Sequence, residues 1–460
     1  MSKESKLKAL FEKSMESGGL QGFRANWEQS LGIKNVDGVN KLTNEKEVDY
    51  KEFEIGRACS ALLGADWRTK FEQNWMPASR MRFESQGGSV MTGDLPYVSA
   101  ALDVIAGLAN ARALERPLSP IFIADQMCST VEAAGEGGWD IIVRPTGQLP
   151  ADDLADGQAI PTVTLKGSRV HRNRTRNQGL RAKVNLYTIL DDLTGTLYSA
   201  IDEVADMVLY EKERKVADCL MGIYDGKYES GIKMEQDGVA WMPYQATAVT
   251  TGAPENNAKV RNYANCVNAD GKGLVDYTCV ERAYNLLYNN RDPFTNLPVN
   301  ISLQGMKMFV APRSLIQAKY ILDARETWAT SDIGFTTAYA KNTISGNPLS
   351  GMGISLVSSQ IWANRLVDVG LGANGLGVAA GGALTTATAD TTHTATSVAS
   401  FFMLGHPERA IKYLQRQPYT VTQVPLGSME YADQTVLIQD FRERGQAYWV
   451  EPRVMYRVYA

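Results

Sequence analysis

Apolar positions follow helical spacing in the first half of the chain and strict alternation toward its end. Leu7, Leu10, Phe11 and Met15 form a helical stripe with lysines and glutamates between them, until Gly18, Gly19 and Gly22 interrupt it. Residues 52–75 resume a mixed apolar and charged pattern. This density of charge predicts that residues 1–75 are an extended, partner-dependent arm or a scaffold-like segment; a small helical domain is the alternative. A helix is expected from Tyr97 to Leu114, with Asp94 as its cap, Pro96 in its first turn, and Pro117 and Pro120 closing it. Gly135, Gly137 and Gly138 mark an irregular stretch before an acidic loop with Asp152, Asp153 and Asp156.

Val163 and Leu165 alternate with polar residues, and so do Leu180, Ala182, Val184 and Leu186. Between these runs lies the polar tip KGSRVHRNRTRNQG, so the spacing predicts one long β-hairpin over residues 158–192. An isolated two-stranded ribbon is only marginally stable in water, so this one should rest on another chain. A helix without proline then runs from Thr194 to Ile223, a span of roughly 45 Å at 1.5 Å per residue. Its stripe is Leu197, Ile201, Val204, Val208, Val216, Leu220 and Ile223. Its opposite face carries Asp202, Glu203, Asp206, Glu211, Glu213, Arg214 and Asp218, and reads as polar.

Farther on, Val275 to Asn290 predicts a helix, 292–298 a turn, Met306 to Ala311 a buried strand, and Pro312 to Leu322 a second helix. Together these make an α/β unit. Residues 369–400, rich in Gly, Ala and Thr, read as a flexible loop. Tyr419–Val424 and Tyr448–Tyr459 alternate and are expected in one sheet. The fold class that follows is α+β.

Composition narrows the function more than it names it. With 47 basic and 51 acidic side chains among 460 residues, the net charge is −4, and no global basic excess exists to grip nucleic acid. No apolar signal core lies in residues 1–20, and no uncharged apolar run of membrane-spanning length occurs, so the chain is expected in the cytoplasm when made. Five scattered cysteines without a C-x-x-C pair predict neither disulfides nor a zinc ribbon.

Candidate chemistry is sparse. Gly370-Leu-Gly-Ala-Asn-Gly375 matches G-x-G-x-x-G, but a dinucleotide fingerprint needs a strand before it and a helix after it. Val367–Val369 could supply the strand; the threonine- and glycine-rich sequence that follows makes a poor helix. No G-x-S-x-G or P-loop occurs, and the three histidines, His171, His393 and His406, lie far apart. No catalytic residue, metal site or cofactor is therefore expected. The strongest local signal is Lys166, Arg169, Arg172, Arg174 and Arg176, five cations in a segment without an acid and without Phe, Tyr or Trp to stack bases. Nucleic acid, an acidic partner surface and simple solvation all fit such a run. Asp152, Asp153 and Asp156 are candidate acidic partners on a neighbouring copy; exposed pairs are worth about 0–1 kcal/mol each, and fix orientation more than stability.

The order of arm, basic hairpin, overlong helix and α/β unit resembles the tailed-phage major capsid protein of the HK97 fold. Arg174-Thr-Arg-Asn-Gln-Gly-Leu is similar to that family's extended loop leading into its spine helix. NNRDPFTNLPVNIS and MFVAPRSLIQAKYIL resemble its axial-domain helix, turn, strand and helix. FFMLGHPERAIKYLQRQPYTVTQV and RERGQAYWVEPRVMYRVYA are similar to its later strands. The resemblance covers roughly residues 75–460. It implies an N-terminal arm or scaffold-like segment (1–75), a peripheral-domain entry (76–157), an extended loop (158–192), a spine helix (193–224), an axial domain (225–405) and returning strands (406–460). It further implies hexamers and pentamers that tile an icosahedral shell around double-stranded DNA, with portal, vertex or decoration proteins as partners. The virion is then the destination and the host cytoplasm the place of assembly. Lys166 could stand where some members crosslink to a neighbour's asparagine, but no matching asparagine is evident, and crosslinking is not expected. Two alternatives remain: an encapsulin-type shell of the same fold, and a nucleotide-binding enzyme using the Gly370–Gly377 loop.

Overall fold

Leu95–Glu115 is a helix with no polar face: Val98 to Ala111 are buried without a break, as are Ala113 and Leu114. A helix apolar all round must be covered on every side, and that requirement organises the first part of the protein. The computed structural model describes residues 3–17, 19–36, 39–43, 46–49, 54–83, 93–132, 139–143, 169–173, 175–191, 196–222, 234–236, 239–241, 243–244, 263–268, 274, 277–291, 298–299, 301–323, 326–329, 343–347, 349–369 and 401–459.

In chain order, helices α1 (Lys3–Ser17) and α2 (Gly19–Ser30) lead to the hairpin β1 (Ile33–Val36) and β2 (Val39–Leu42). Helices α3 (Ile55–Leu63), α4 (Trp67–Phe83), α5 (Leu95–Glu115) and α6 (Ala124–Met127) follow. Next come β3 (Ser129–Glu132), β4 (Trp139–Val143), β5 (Arg169–Asn173), β6 (Arg176–Asn185), α7 (Leu186–Leu190) and α8 (Thr196–Met221). Short strands β7 (Met234–Gln236), β8 (Val239–Trp241) and β9 (Cys266–Asn268) precede α9 (Tyr277–Tyr288), β10 (Lys307–Val310) and α10 (Leu315–Asp323). The chain continues through β11 (Glu326–Ala329), β12 (Thr343–Gly346), β13 (Ser355–Ser358), α11 (Gln360–Val369) and β14 (Phe402–Gly405). It closes with α12 (Pro407–Ala410), β15 (Ile411–Gln423), α13 (Ser428–Ala432), β16 (Thr435–Trp449) and β17 (Met455–Tyr459). The architecture is α+β. The chain divides into two units: residues 1–119, 177–211 and 417–444 form the first, and residues 120–176, 212–416 and 445–460 the second.

In the first unit, α1 to α4 cover α5. Leu7, Phe11, Phe23, Trp27, Ile55, Phe71 and Trp75 join the α5 side chains in one core. Phe11 meets Phe23 edge to face at 5.3 Å. Gly107 sits inside α5, where glycine costs about 0.5–1 kcal/mol relative to alanine. It is required there because an added Cβ would lie 2.6 Å from the Trp27 indole nitrogen. The expected detached arm over residues 1–75 is thus corrected. These amphipathic helices are weak alone, but α5 offers them an apolar surface of small residues, and they fold against it. The cap is corrected too. Asp94 makes no side-chain cap bond, and its carboxylate instead faces Lys70 at 3.4 Å. The later segments of this unit add β6, which neighbours β16, which in turn neighbours β15.

In the second unit a five-stranded sheet runs in the order β13-β10-β14-β17-β9. β10 pairs parallel with β13 and antiparallel with β14; β14 pairs antiparallel with β17, and β17 parallel with β9. All four residues of β14 are buried, so its pattern is a continuous apolar run, as a strand covered on both faces should be. Ala283 and Leu287 of α9, Ala318 and Ile321 of α10 and Trp362 of α11 complete this core. Gly405 ends β14 at φ +150°, and an added Cβ would lie 2.1 Å from the Val454 carbonyl oxygen and 2.9 Å from the Met455 Cα. A second sheet takes the order β4-β5-β7-β8. The start of β15 pairs parallel with β3, Lys412 opposite Ser129.

One strand expectation is overturned and another is placed only in part. The hairpin over 158–192 is placed only in part: its first run, Val163 and Leu165, lies outside the described residues. β5 pairs antiparallel with β4, Trp139 opposite Asn173 and Val143 opposite Arg169, while β6 joins β16. Alternation specifies a face, not a partner, and β4 lies upstream of the run used to infer the hairpin. The last strands fail to share one sheet: β15 and β16 neighbour each other, but β17 lies with β14 and β9. The reason is Pro452, which opens a single 3-10 turn over Pro452–Val454 between β16 and β17 and lacks the N–H a continuing ladder needs. The 292–297 turn and the loop from 370 to 400 lie outside the described residues.

Candidate subunit-contact surfaces

The five basic candidates are only partly placed. Arg169 and Arg172 take ladder positions on β5 opposite Val143 and Asp140. Arg176 opens β6 and is exposed. Lys166, Arg174, Asp152, Asp153 and Asp156 lie outside the described residues, so no pairing between the basic segment and the acidic loop is placed.

The edge of the first unit shows how charge is used there. Among the described residues β6 ends its strand order, and it alternates Arg181 and Lys183 outward with Ala182 and Val184 turned toward the core. Charged side chains on an edge strand discourage indiscriminate strand addition. Arg181 donates twice to buried Asp440, Nε at 2.6 Å and Nη2 at 3.0 Å, and Arg442 donates to the same carboxylate. Gln178 Nε2 donates to Glu443 at 2.9 Å. These residues, with Asn177, Leu180 and Gln417, line a cleft of about 460 Å3. The hydrogen bonds from Arg181 hold the Asp440 carboxyl below its ordinary 3.8. A depressed carboxyl contributes stability above the unfolded value and loses it as pH falls through the folded one. Asp440→Asn therefore lowers Tm at pH 7, and the gap to wild type narrows as pH falls below the ordinary 3.8, as thermal melts on either side of that value will show.

A second set of side chains is apolar and uncovered. On α10, Ala318, Ile321 and Leu322 face the core, while Ile316 is 71% and Tyr320 72% exposed one helical turn apart. Leu315 beside them and Tyr288 on α9 are also exposed. In the first unit, Met207 is 60% exposed on α8, and Tyr210 lies three residues on. Residues three and four apart share a helix face, so α10 is apolar on two opposite faces and covers only one.

Burial on α8 departs from the expected polar back. Arg112 of α5 and Arg116, just past its last residue, reach Asp202 and Asp206 of α8 as matched pairs four residues apart: Arg112 Nε lies 3.2 Å from Asp202 Oδ2, and Arg116 grips Asp206 with two donors. Burial pushes the Asp202 carboxyl up, against the pull of those arginines. Farther along, Asp218 is held by Arg365 through bonds of 2.6 and 2.8 Å. Glu213 is 1% exposed. Its Oε1 accepts from the Ala124 backbone N–H and its Oε2 from the Trp362 indole, each at 2.6 Å. Burial raises this carboxyl from 4.5 to about 7, opposed by those two hydrogen bonds and by Lys212. The signal available in sequence was the repeat of acids four apart, Asp202 with Asp206, matching the arginines four apart, Arg112 with Arg116.

Other polar groups serve packing. Arg453 is fully buried, and its guanidinium donates to both oxygens of Glu451 at 2.6 Å. Arg457 stacks over the Tyr244 ring with its carbon 4.2 Å from the centroid. All five cysteines are free thiols and buried; burial pushes Cys59 and Cys128 up to about 12. His406 Nε2 lies 2.9 Å from the Ser302 carbonyl oxygen, and burial lowers its pKa. Among the described residues no group of three or more His, Cys, Asp or Glu could hold a metal ion, and no helix is long and apolar enough to cross a membrane. Val367–Val369 is the last turn of α11, so the G-x-G-x-x-G segment follows a helix and lacks the strand a dinucleotide fingerprint requires.

No protein-family model and no curated protein matches the sequence. Among solved structures, the chain is similar to the capsid of the cyanophage P-SCSP1u at 13% identity and TM-score 0.35, covering 73% of this chain and 86% of that one. It is similar to the capsid of an empty GTA particle at 12% identity and TM-score 0.35, over 74% and 96% of the two chains. It is also similar to a virus-like particle from Pyrococcus furiosus at 8% identity and TM-score 0.34, over 75% and 98%. These solved structures are a phage capsid, the capsid of a GTA particle and a virus-like particle, and at such TM-scores they place no residue of this chain.

Proposed function

We propose that this protein is the subunit of a closed shell and that copies of itself complete it. The observation that carries the reading is α10, whose Ile316 and Tyr320 stand in solvent opposite an already buried face. Burying such side chains is worth about 1.5–3 kcal/mol each, and a second copy of the chain would supply that cover. The exposed Met207 and Tyr210 on α8 and the charged edge of β6 fit the same picture, one as contact and the other as a device that fixes orientation. The basic run Lys166, Arg169, Arg172, Arg174 and Arg176 then meets an acidic surface on a neighbour, with Asp152, Asp153 and Asp156 as its partners.

The finer reading is the major capsid protein of a tailed phage, of the HK97 type, assembled in the host cytoplasm around double-stranded DNA and joined by portal and vertex proteins. It is supported by the order of ribbon strands, long helix and α/β unit. The net charge of −4 fits a container that does not grip its content. The role is structural rather than enzymatic. Sedimentation velocity of the purified protein is expected to give one fast, homogeneous boundary that weakens with salt as charged contacts are screened. A single slow boundary at every concentration would overturn the reading. Absorbance of the particles separates the capsid from the encapsulin-type alternative: nucleic acid within supports the first, and protein cargo the second.

A further inference from the structure

Glu213 joins three separately placed pieces of the second unit. It projects from α8, accepts from the first N–H of α6, and accepts from the indole of Trp362 on α11. Both donors can only give a proton, so the clasp is complete only while both carboxyl oxygens accept. An ionised carboxylate does this with charge-assisted bonds. A protonated one keeps a single good acceptor and turns its other oxygen into a hydroxyl.

We propose that Glu213 is a proton-operated latch, which fastens α6 and α11 to α8 when ionised and releases one of its two donors when protonated.

The surrounding charges leave the balance close. Lys212, on the same helix, favours the ionised form and Asp125 of α6 opposes it, while these two side chains pair with each other at 2.9 Å. Cys128, just past α6, feels Glu213, Lys212, Asp125 and Glu408 of α12, and its buried thiol stays protonated. On α11 the charged Arg365 is engaged by Asp218. Burial then dominates and raises the carboxyl to about 7, so both states are populated near neutrality. The sign follows: with the folded value above the ordinary 4.5, the stabilising contribution of this group is full below 4.5 and is lost as pH rises through about 7. The ionised clasp is the tighter one locally and the costlier one globally.

Full-length protein labelled with 5-fluorotryptophan carries eight indole reporters, and Trp362→Phe identifies the one in question. The Trp362 fluorine resonance is expected to titrate with a midpoint near pH 7. Amide protection at Ala124, corrected for intrinsic exchange, is expected to change over the same range, and both changes vanish in Glu213→Gln. A Trp362 resonance that is flat from about pH 5 to pH 9, or that titrates identically in Glu213→Gln, overturns the proposal. Should the Gln variant fail to fold, infrared spectra of 13C-glutamate wild-type protein decide. A dehydrated carboxylic-acid band that grows as pH falls below 7 supports the latch; its absence near the acid end overturns it.

Discussion

Ile316→Glu combined with Tyr320→Glu abolishes closed particles while leaving the isolated subunit folded, with Tm within ~2 °C of wild type. The two halves of that expectation come from different physics. Both side chains are more than two-thirds exposed on α10, and glutamate is a good helix former, so the subunit itself loses almost nothing. A copy-to-copy contact loses twice. The apolar burial, about 1.5–3 kcal/mol per side chain, disappears. Two carboxylates would also have to be desolvated without partners, which costs more again. A loss of about 4 kcal/mol at one contact is on the order of a thousandfold in affinity, and a shell repeats the contact around every symmetry axis. Sedimentation velocity reads the outcome, and circular dichroism melts confirm that the subunit is intact. Normal particles from this variant would remove α10 from the contact surface.

Gly405→Ala is the largest expected loss of stability, about 2–6 kcal/mol, from two costs of about 1–3 kcal/mol each. The first is conformational: φ is +150°, where side chains other than glycine are strained. The second is steric: the new Cβ would lie 2.1 Å from the Val454 carbonyl oxygen and 2.9 Å from the Met455 Cα, and both are backbone. No rotamer change relieves a backbone collision. β14 must part from β17, and Met403, Leu404 and Gly405 are the residues paired across that ladder. Denaturant unfolding should show a lower midpoint with little change in slope. A variant as stable as wild type would contradict the close approach of Gly405 to the backbone of Val454 and Met455.

Much of the fold was legible where punctuation and periodicity agreed. Proline and apolar density placed α5 within two residues of its observed ends, 97–114 expected against 95–115 found. The long stripe placed α8 at 194–223 against 196–221. The strand opened by Met306 and the helix after Pro312 also stand. What failed shares one cause, since sequence states what a residue prefers and not what it meets. β5 lies inside the run read as a polar tip, and nothing in that run names β4 as its partner. The polar face of α8 looked solvated because the partners of its acids are distant in sequence: Arg112, Arg116, Arg365, Trp362 and the Ala124 N–H. The N-terminal helices looked like a detached arm because the surface that receives them, α5, comes later in the chain. Of the candidate site, the basic run was visible as composition, whereas the uncovered face of α10 was hidden in a helix apolar on both sides. Only burial separates Ile321 from Ile316.

The most direct measurement is cryo-electron microscopy of the purified full-length protein. Closed, uniform particles are expected, with density for Ile316 and Tyr320 of each subunit packed against a neighbouring copy. Particles in which those side chains face open solvent, or a field of monomers at every concentration, would contradict it.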